Sequence, residues 1–268
     1  MLDTRKCRVE DADGSEAMAE SVTRVQLKAE TLDAFHAYVR EAETGMKPFL
    51  EGGARFLWTD ANPDRARRVR QGETPARLWI GQAPVRVSGG LIHDWIGAAH
   101  IPGASLEATL ARVQDYDHHK DFYKPEVMES RLLSHHGDEF KIFLRLLKKK
   151  IITVVMDTEH DVHYQRVTEG KWFCRSYTTR VCEVDDAGTT KERVYPPDSG
   201  FGFLWRLYSY WKFANDNDGV TIECRAMSLT RDVPLGLGFI LEPIIKNLPR
   251  ESLVHTLRAT RDAIGGTR

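Results

Sequence analysis

No stretch of the sequence approaches the ~20 consecutive apolar residues that a membrane-spanning helix needs, so no span and no stable membrane insertion are expected. The opening residues, 1–22, lack the apolar core of a secretion signal and are rich in Asp, Glu and Ser. They read as a disordered leader. Localisation therefore reads as cytoplasmic, with export the alternative if a leader precedes this start. Cysteine is scarce, with four residues at positions 7, 174, 182 and 224 and no CxxC spacing. Cys174 and Cys182 fall on one expected strand, roughly 26 Å apart at ~3.3 Å per residue, too far to bridge. A reducing compartment fits that usage. Charge of neither sign dominates: 38 basic residues stand against 39 acidic ones. A net charge of −1 gives no general attraction to nucleic acid or anionic lipid, so no nucleic-acid partner is expected. The local runs Arg65–Arg70 and Lys148–Lys150 read as solvated faces.

Several chemical signatures are missing too. There is no Walker loop, no GxGxxG and no GxSxG, which removes the common nucleotide-binding and serine-nucleophile readings. Glu159, Asp161 and His163 alternate onto one strand face, yet that face is the one expected to meet solvent and the helical HExxH spacing is absent. No metal, no cofactor and no catalytic residue is assigned on these grounds. The chain reads as a binding protein rather than an enzyme.

What is present is a change of period. Leu32, Phe35, Tyr38, Val39, Ala42 and Met46 recur at helical spacing between Glu30 and Leu50, and Gly52-Gly53 stops the run. With Phe56-Leu57-Trp58 and the helix opened by Asn62-Pro63, this makes a helical N-terminal extension over residues 23–83. It has too few apolar residues for its own core and is expected to pack on the main domain, residues 84–268. Pro84 to His100 reads as a strand carrying Leu91, Ile92, Trp95 and Ile96. Ser105 is a good N-cap for Leu106 to Asp115, and Tyr116 to Tyr123 continues as a second short helix.

After Pro125 the period switches to two. Strands are expected over Val127–Ser134, Phe140–Lys148, Ile151–Val167, Trp172–Val184, Phe203–Ala214 and Val220–Arg231. His136-Gly137-Asp138 and Asn215 to Gly219 supply hairpin turns. Such hairpins leave one solvated face and one apolar face. The tail covers the latter: Leu235–Leu248 reads as a helix broken at Pro243, and Pro249 opens a second over Arg250–Ile264.

The order of strand, short helices, six strands and terminal helix resembles the helix-grip fold of the START / SRPBCC superfamily. The carriers are Val113-Gln114-Asp115-Tyr116-Asp117 running into Asp121-Phe122-Tyr123-Lys124-Pro125-Glu126-Val127, then Glu129-Ser130-Arg131, and the terminal Leu248-Pro249-Arg250-Glu251-Ser252-Leu253. The resemblance covers Pro84 to the C-terminus. It implies an α+β fold in which a curved antiparallel sheet of about seven strands wraps a long C-terminal helix, and a hydrophobic small molecule or lipid as partner. On residues alone, the large Trp205, Trp211 and Phe213 opposite small Cys224 and its neighbours either tile a core or leave a hollow; the resemblance favours the hollow. Its expected wall takes Tyr116 and Tyr123 from the short helices and Met128, Leu144, Met156, His160 and Tyr164 from the first strands. The last hairpin adds Trp205, Arg206, Trp211, Phe213 and Cys224, and the final helix adds Leu257. His160, on an apolar face, is either a hydrogen-bonded core residue or a group that orients a ligand. Arg175 and Arg206 need carboxylate partners if buried, with Glu159, Asp161 or Glu223 in reach. Two rival readings remain: a cyclase, dehydratase or hydrolase using a pair such as His160 and Tyr208, and an interaction module using the first helix or the Arg65–Arg70 run.

Overall fold

The computed structural model describes residues 24–51, 55–81, 83–149, 153–232 and 238–266, with the backbone alone for 238–247. The expected leader lies outside these residues. In chain order the elements are β1 (Val25–Gln26), α1 (Ala29–Leu50), a 3-10 turn (Thr59–Ala61), α2 (Pro63–Arg70), β2 (Ala76–Leu78), β3 (Val85–Val87) and β4 (Gly90–Pro102). Then come α3 (Leu106–Val113), a 3-10 turn (Tyr116–His118), α4 (His119–Phe122), β5 (Val127–His136), β6 (Glu139–Lys149), β7 (Thr153–Thr168) and β8 (Lys171–Asp185). The chain closes with β9 (Arg193–Val194), β10 (Ser199–Gly200), β11 (Arg206–Asp216), β12 (Gly219–Arg231) and α5 (Gly238–Gly265).

Local chemistry explains most of these ends. The Ser105 hydroxyl accepts from the Ala108 amide at 3.1 Å, and the Asn62 side chain accepts from the Arg65 amide at 3.0 Å, so α3 and α2 start on capped donors. Gly137, at φ +60°, turns β5 into β6. The C-terminal segment differs from expectation: it is one helix that runs through Pro243 and Pro249. Proline has a helical φ and forfeits only one backbone bond, and packing of α5 along β4 supplies the compensation.

The main sheet runs β2-β4-β12-β11-β8-β7-β6-β5. Its neighbouring strands are antiparallel. Seven of its strands are long, and the sheet takes in Ala76–Leu78, upstream of Pro84. Residues on its concave side meet α3 and α5: Ala99, Ile101, Leu106, Phe213, Ile222 and Leu257 form a filled core at one end. Gly97 lets that helix press close, since a Cβ there would fall 2.8 Å from Leu257 Cδ1.

Over β4, β12, β11 and β8 the second face is not solvated as the alternation suggested, whereas on β5 and β7 Arg131, Asp161 and Gln165 do meet solvent. Phe35, Val39 and Met46 of α1 pack on Ile92, Phe173, Tyr210, Met227 and Leu229, so the extension buries that part of the convex side. Beneath α1 lies a buried ion pair in which Arg225 donates to both carboxylate oxygens of Asp94, at 2.9 and 2.6 Å. Nearby, Glu223 accepts from the amides of Trp58 and Thr59 at 2.7 and 2.8 Å, tying the segment before α2 to β12.

Candidate functional site

Beyond the filled end, the concave side is hollow. A cavity of about 360 Å³ lies between the sheet, the short helices and α5, within the usual size range of small-molecule sites. Strand register shows why. Trp95 on β4 stands beside Ala226, then Ser209, then Ser176 and Val162 across five strands. Small side chains in that row leave volume where the next row, Cys224, Trp211, Cys174 and Tyr164, partly fills it. Its wall also takes in Phe203, Arg231, Asp232, Leu248 and Pro249, of which Asp232 is exposed.

Of the residues expected on the wall, Tyr116, Tyr123, Leu144, Met156, His160, Tyr164, Trp211, Phe213 and Cys224 lie on it. Four stand elsewhere. Met128 is 42% exposed on the edge strand β5. Trp205 precedes β11 rather than lying in it and packs with Phe35 in the cluster under α1. Arg206 makes a bidentate pair with Asp198, a partner the strand alternation did not offer. Leu257 seats on Gly97 in the filled core. Tyr208 stacks on Tyr177 and contacts Phe35, across the sheet from His160, so that pair does not form.

The hydrogen-bond network fixes the histidine tautomers. Thr158 donates its hydroxyl proton to the Leu144 carbonyl, so it accepts from His160 Nε2–H at 3.0 Å. Nδ1 of His160 then accepts from Ser176 at 3.3 Å, which leaves the ring no free nitrogen. His119 donates Nε2–H to the Val113 carbonyl at 3.0 Å. His93 was not foreseen as a wall residue. Thr230 donates to the Arg231 carbonyl and so accepts from His93 Nε2–H at 3.1 Å. That leaves His93 Nδ1 as a buried acceptor with no partner among the described residues. The same holds for the Trp95 indole N–H, two residues along the same face.

Burial sets the charge states. It pulls His93, His119 and His160 down to about 4, so all three rings are neutral near pH 7. It pushes the Cys174 thiol up to about 12 and raises Tyr116 and Tyr164, whose hydroxyls meet at 3.0 Å. Charge enters the wall through two acid–base neighbours. Lys148 bonds Glu126 and, at 2.7 Å, Ser252 of α5. Arg231 donates to the Phe201 carbonyl at 3.2 Å and feels both Glu183 and Asp232.

No family model matches the sequence, and no curated protein matches it. Solved structures do match. A STAR-related lipid transfer protein of Xanthomonas axonopodis is 15% identical, covering 68% of this chain and 97% of its own, with a TM-score of 0.45. The Zhui aromatase/cyclase of a Streptomyces species is 9% identical over 65% of this chain and 93% of its own, at a TM-score of 0.46. A protein of Thermus thermophilus is 13% identical over 65% of this chain and 98% of its own, at a TM-score of 0.47. Among the described residues no helix is long and apolar enough to cross a membrane. The chain's own topology, a curved antiparallel sheet gripping a C-terminal helix, is the helix-grip fold that the resemblance to the START / SRPBCC superfamily implies.

Proposed function

We propose that this protein binds and carries one apolar small molecule in the hollow between its sheet and α5. The observation that carries this reading is the cavity itself, with Trp95, Met156, Trp211 and Phe213 on its wall and its histidines held neutral. Burying ~250 Å² of apolar ligand surface at ~25 cal/mol per Å² yields about 6 kcal/mol before association costs, the main favourable contribution to such binding. Two observations favour binding over the rivals. Both nitrogens of His160 are engaged by the protein and Tyr208 lies on the other face, so the expected acid–base pair is missing. The basic run of α2 is neutralised locally: Arg67 pairs with Asp64, Arg68 with Glu73 and Arg70 with Asp216, while Arg65 lies over Trp58.

The test is solvent extraction of natively purified protein followed by mass spectrometry, with titration of a fluorescent lipid panel. A stoichiometric small molecule or saturable uptake is expected. Absence of both overturns the proposal. Ala226→Phe, which places a ring in the middle of the small-residue row, should weaken uptake at least about tenfold while far-UV circular dichroism is retained.

A further inference from the structure

Where β4 ends beside the β11–β12 turn, three metal-ligating side chains meet. They are His100, Asp216 and Asp218, whose ligand atoms all lie within 4.8 Å of one another. Strand register brings them together, since His100 pairs with Thr221 and Asp216 with Gly219 at the foot of the hairpin. None of the three lines the cavity. Alternation sets His100 on the same face of β4 as Ala98, which clusters with Val69 of α2.

Neighbouring carboxylates are common on protein surfaces; here the histidine makes the difference. His100 is 1% exposed. The Asp216 carboxylate can only accept, so the Thr221 hydroxyl donates to it at 3.4 Å and accepts from His100 Nδ1–H at 3.2 Å. That leaves Nε2 with a bare lone pair and no hydrogen bond among the described residues. Asp218 Oδ1 nevertheless stands 3.1 Å from it. Two lone-pair atoms held that close repel unless positive charge lies between them. A metal ion bonded to both at ~2.1 Å would see them about 95° apart, the angle between neighbouring ligands of a six-coordinate ion. Asp218 is 66% exposed on the turn, so the carboxylate in front of the buried ring nitrogen is itself open to an arriving ion.

Arg70 donates to both oxygens of Asp216, at 2.8 and 3.2 Å, and competes with a metal for that carboxylate. Its side chain is 52% exposed, and two carboxylates face this one guanidinium, so negative charge is in excess. One imidazole with two carboxylates suits zinc and its first-row neighbours, whereas calcium and magnesium prefer an all-oxygen set. We propose that His100, Asp216 and Asp218 bind a divalent transition-metal ion of the zinc class, which clips the end of β4 to the β11–β12 turn. The clip is separate from the cavity and independent of the carrier reading.

Calorimetric titration of the EDTA-treated full chain with zinc chloride, with thermal melting alongside, tests this. One saturable zinc site per chain at micromolar concentration is expected, with a melting temperature that rises as zinc is added. Asp218→Asn, a change on an exposed turn, should weaken zinc at least about tenfold and leave the fold intact. His100→Gln should act alike; where it fails to fold, Asp218→Asn decides alone. Arg70→Gln should tighten zinc severalfold by removing the competitor. His118→Ala removes the exposed His118–Asp115 pair, a rival surface ligand set, and should change nothing. Absence of zinc binding to the unmodified chain overturns the proposal. Zinc binding that survives Asp218→Asn undiminished, or that is lost in His118→Ala, overturns it too.

Discussion

Acidification from about pH 7 to about pH 4.5 is expected to remove several kcal/mol of stability, with the steepest loss below about pH 6. The cause is the set of three buried rings. An unfolded histidine takes its proton near 6.5, whereas His93, His119 and His160 are held at about 4 in the fold. Between those values the unfolded chain binds more protons than the folded one. Stability is therefore fully present above about 6.5 and is lost as pH falls through about 4. Each ring contributes on the order of 3 kcal/mol across that window, against a typical total of about 5–15 kcal/mol. With all three engaged, the slope approaches about 4 kcal/mol per pH unit. Glu183 and Glu223 act in the opposite sense, since burial holds both carboxyls above their usual range and the folded state protonates them first. Their offset is confined to the acid end. Urea unfolding followed by circular dichroism at a series of pH values gives the slope. His160→Gln should flatten it by about one proton's share. A stability that does not change over this range would show that the rings are already charged or solvated in the fold.

The second large effect belongs to the convex side. Asp94 is 4% exposed and Arg225 7%, and the Tyr38 hydroxyl of α1 adds a 2.8 Å bond to Asp94 Oδ2. The Arg225 guanidinium also lies 4.4 Å from the centre of the Trp79 ring. Asp94→Ala is expected to cost about 3–5 kcal/mol, because it strands a buried guanidinium and the Tyr38 hydroxyl together. The double variant Asp94→Leu/Arg225→Met should recover much of that loss, since it removes both charges at similar volume. Denaturant midpoints of the two variants decide the matter. A loss under about 1 kcal/mol for Asp94→Ala would mean that water reaches the pair.

Particular residues show how far the sequence was legible. Period-two alternation after Pro125 placed Met156, His160 and Tyr164 on one face, and the structure puts all three on the cavity wall. It failed where both faces of a strand are buried. On β4, Ile92 and Ile96 face the convex side while His93 and Trp95 face the cavity, so apolar residues on both faces masked the alternation and hid His93. Arg206 shares the α1-side face of β11 with Tyr208 and Tyr210, as plain alternation from Trp211 requires, whereas Trp205 was misplaced for a long-range reason. Glu183 accepts from the amides of Phe201, Gly202 and Phe203 at 2.6, 2.9 and 2.9 Å, which bends the chain around a carboxylate some twenty residues upstream. Gly200 is required there, because a Cβ would fall 2.4 Å from Glu183 Oε2. That bend delays the start of β11 to Arg206, and no local pattern announces it. The extra residue that β8 inserts near Thr179 is equally silent, yet it sets Cys174 and Cys182 on opposite faces of the sheet.

The pairing of β4 with β12 has a consequence for how the chain is made. Gly90–Pro102 is the first long strand to leave the ribosome, and its neighbour Gly219–Arg231 is the last. At ~5–20 residues per second, β4 waits roughly 6–25 s for that partner during synthesis. Strands β5 to β8, which pair in sequence order, form their hairpins meanwhile. The helix α1 emerges earlier still, and its apolar stripe is available to shield Ile92 during the wait. That order of synthesis makes the N-terminal helix available to cover the apolar face of β4 before β12 arrives, and the same helix is the outer layer of the finished fold.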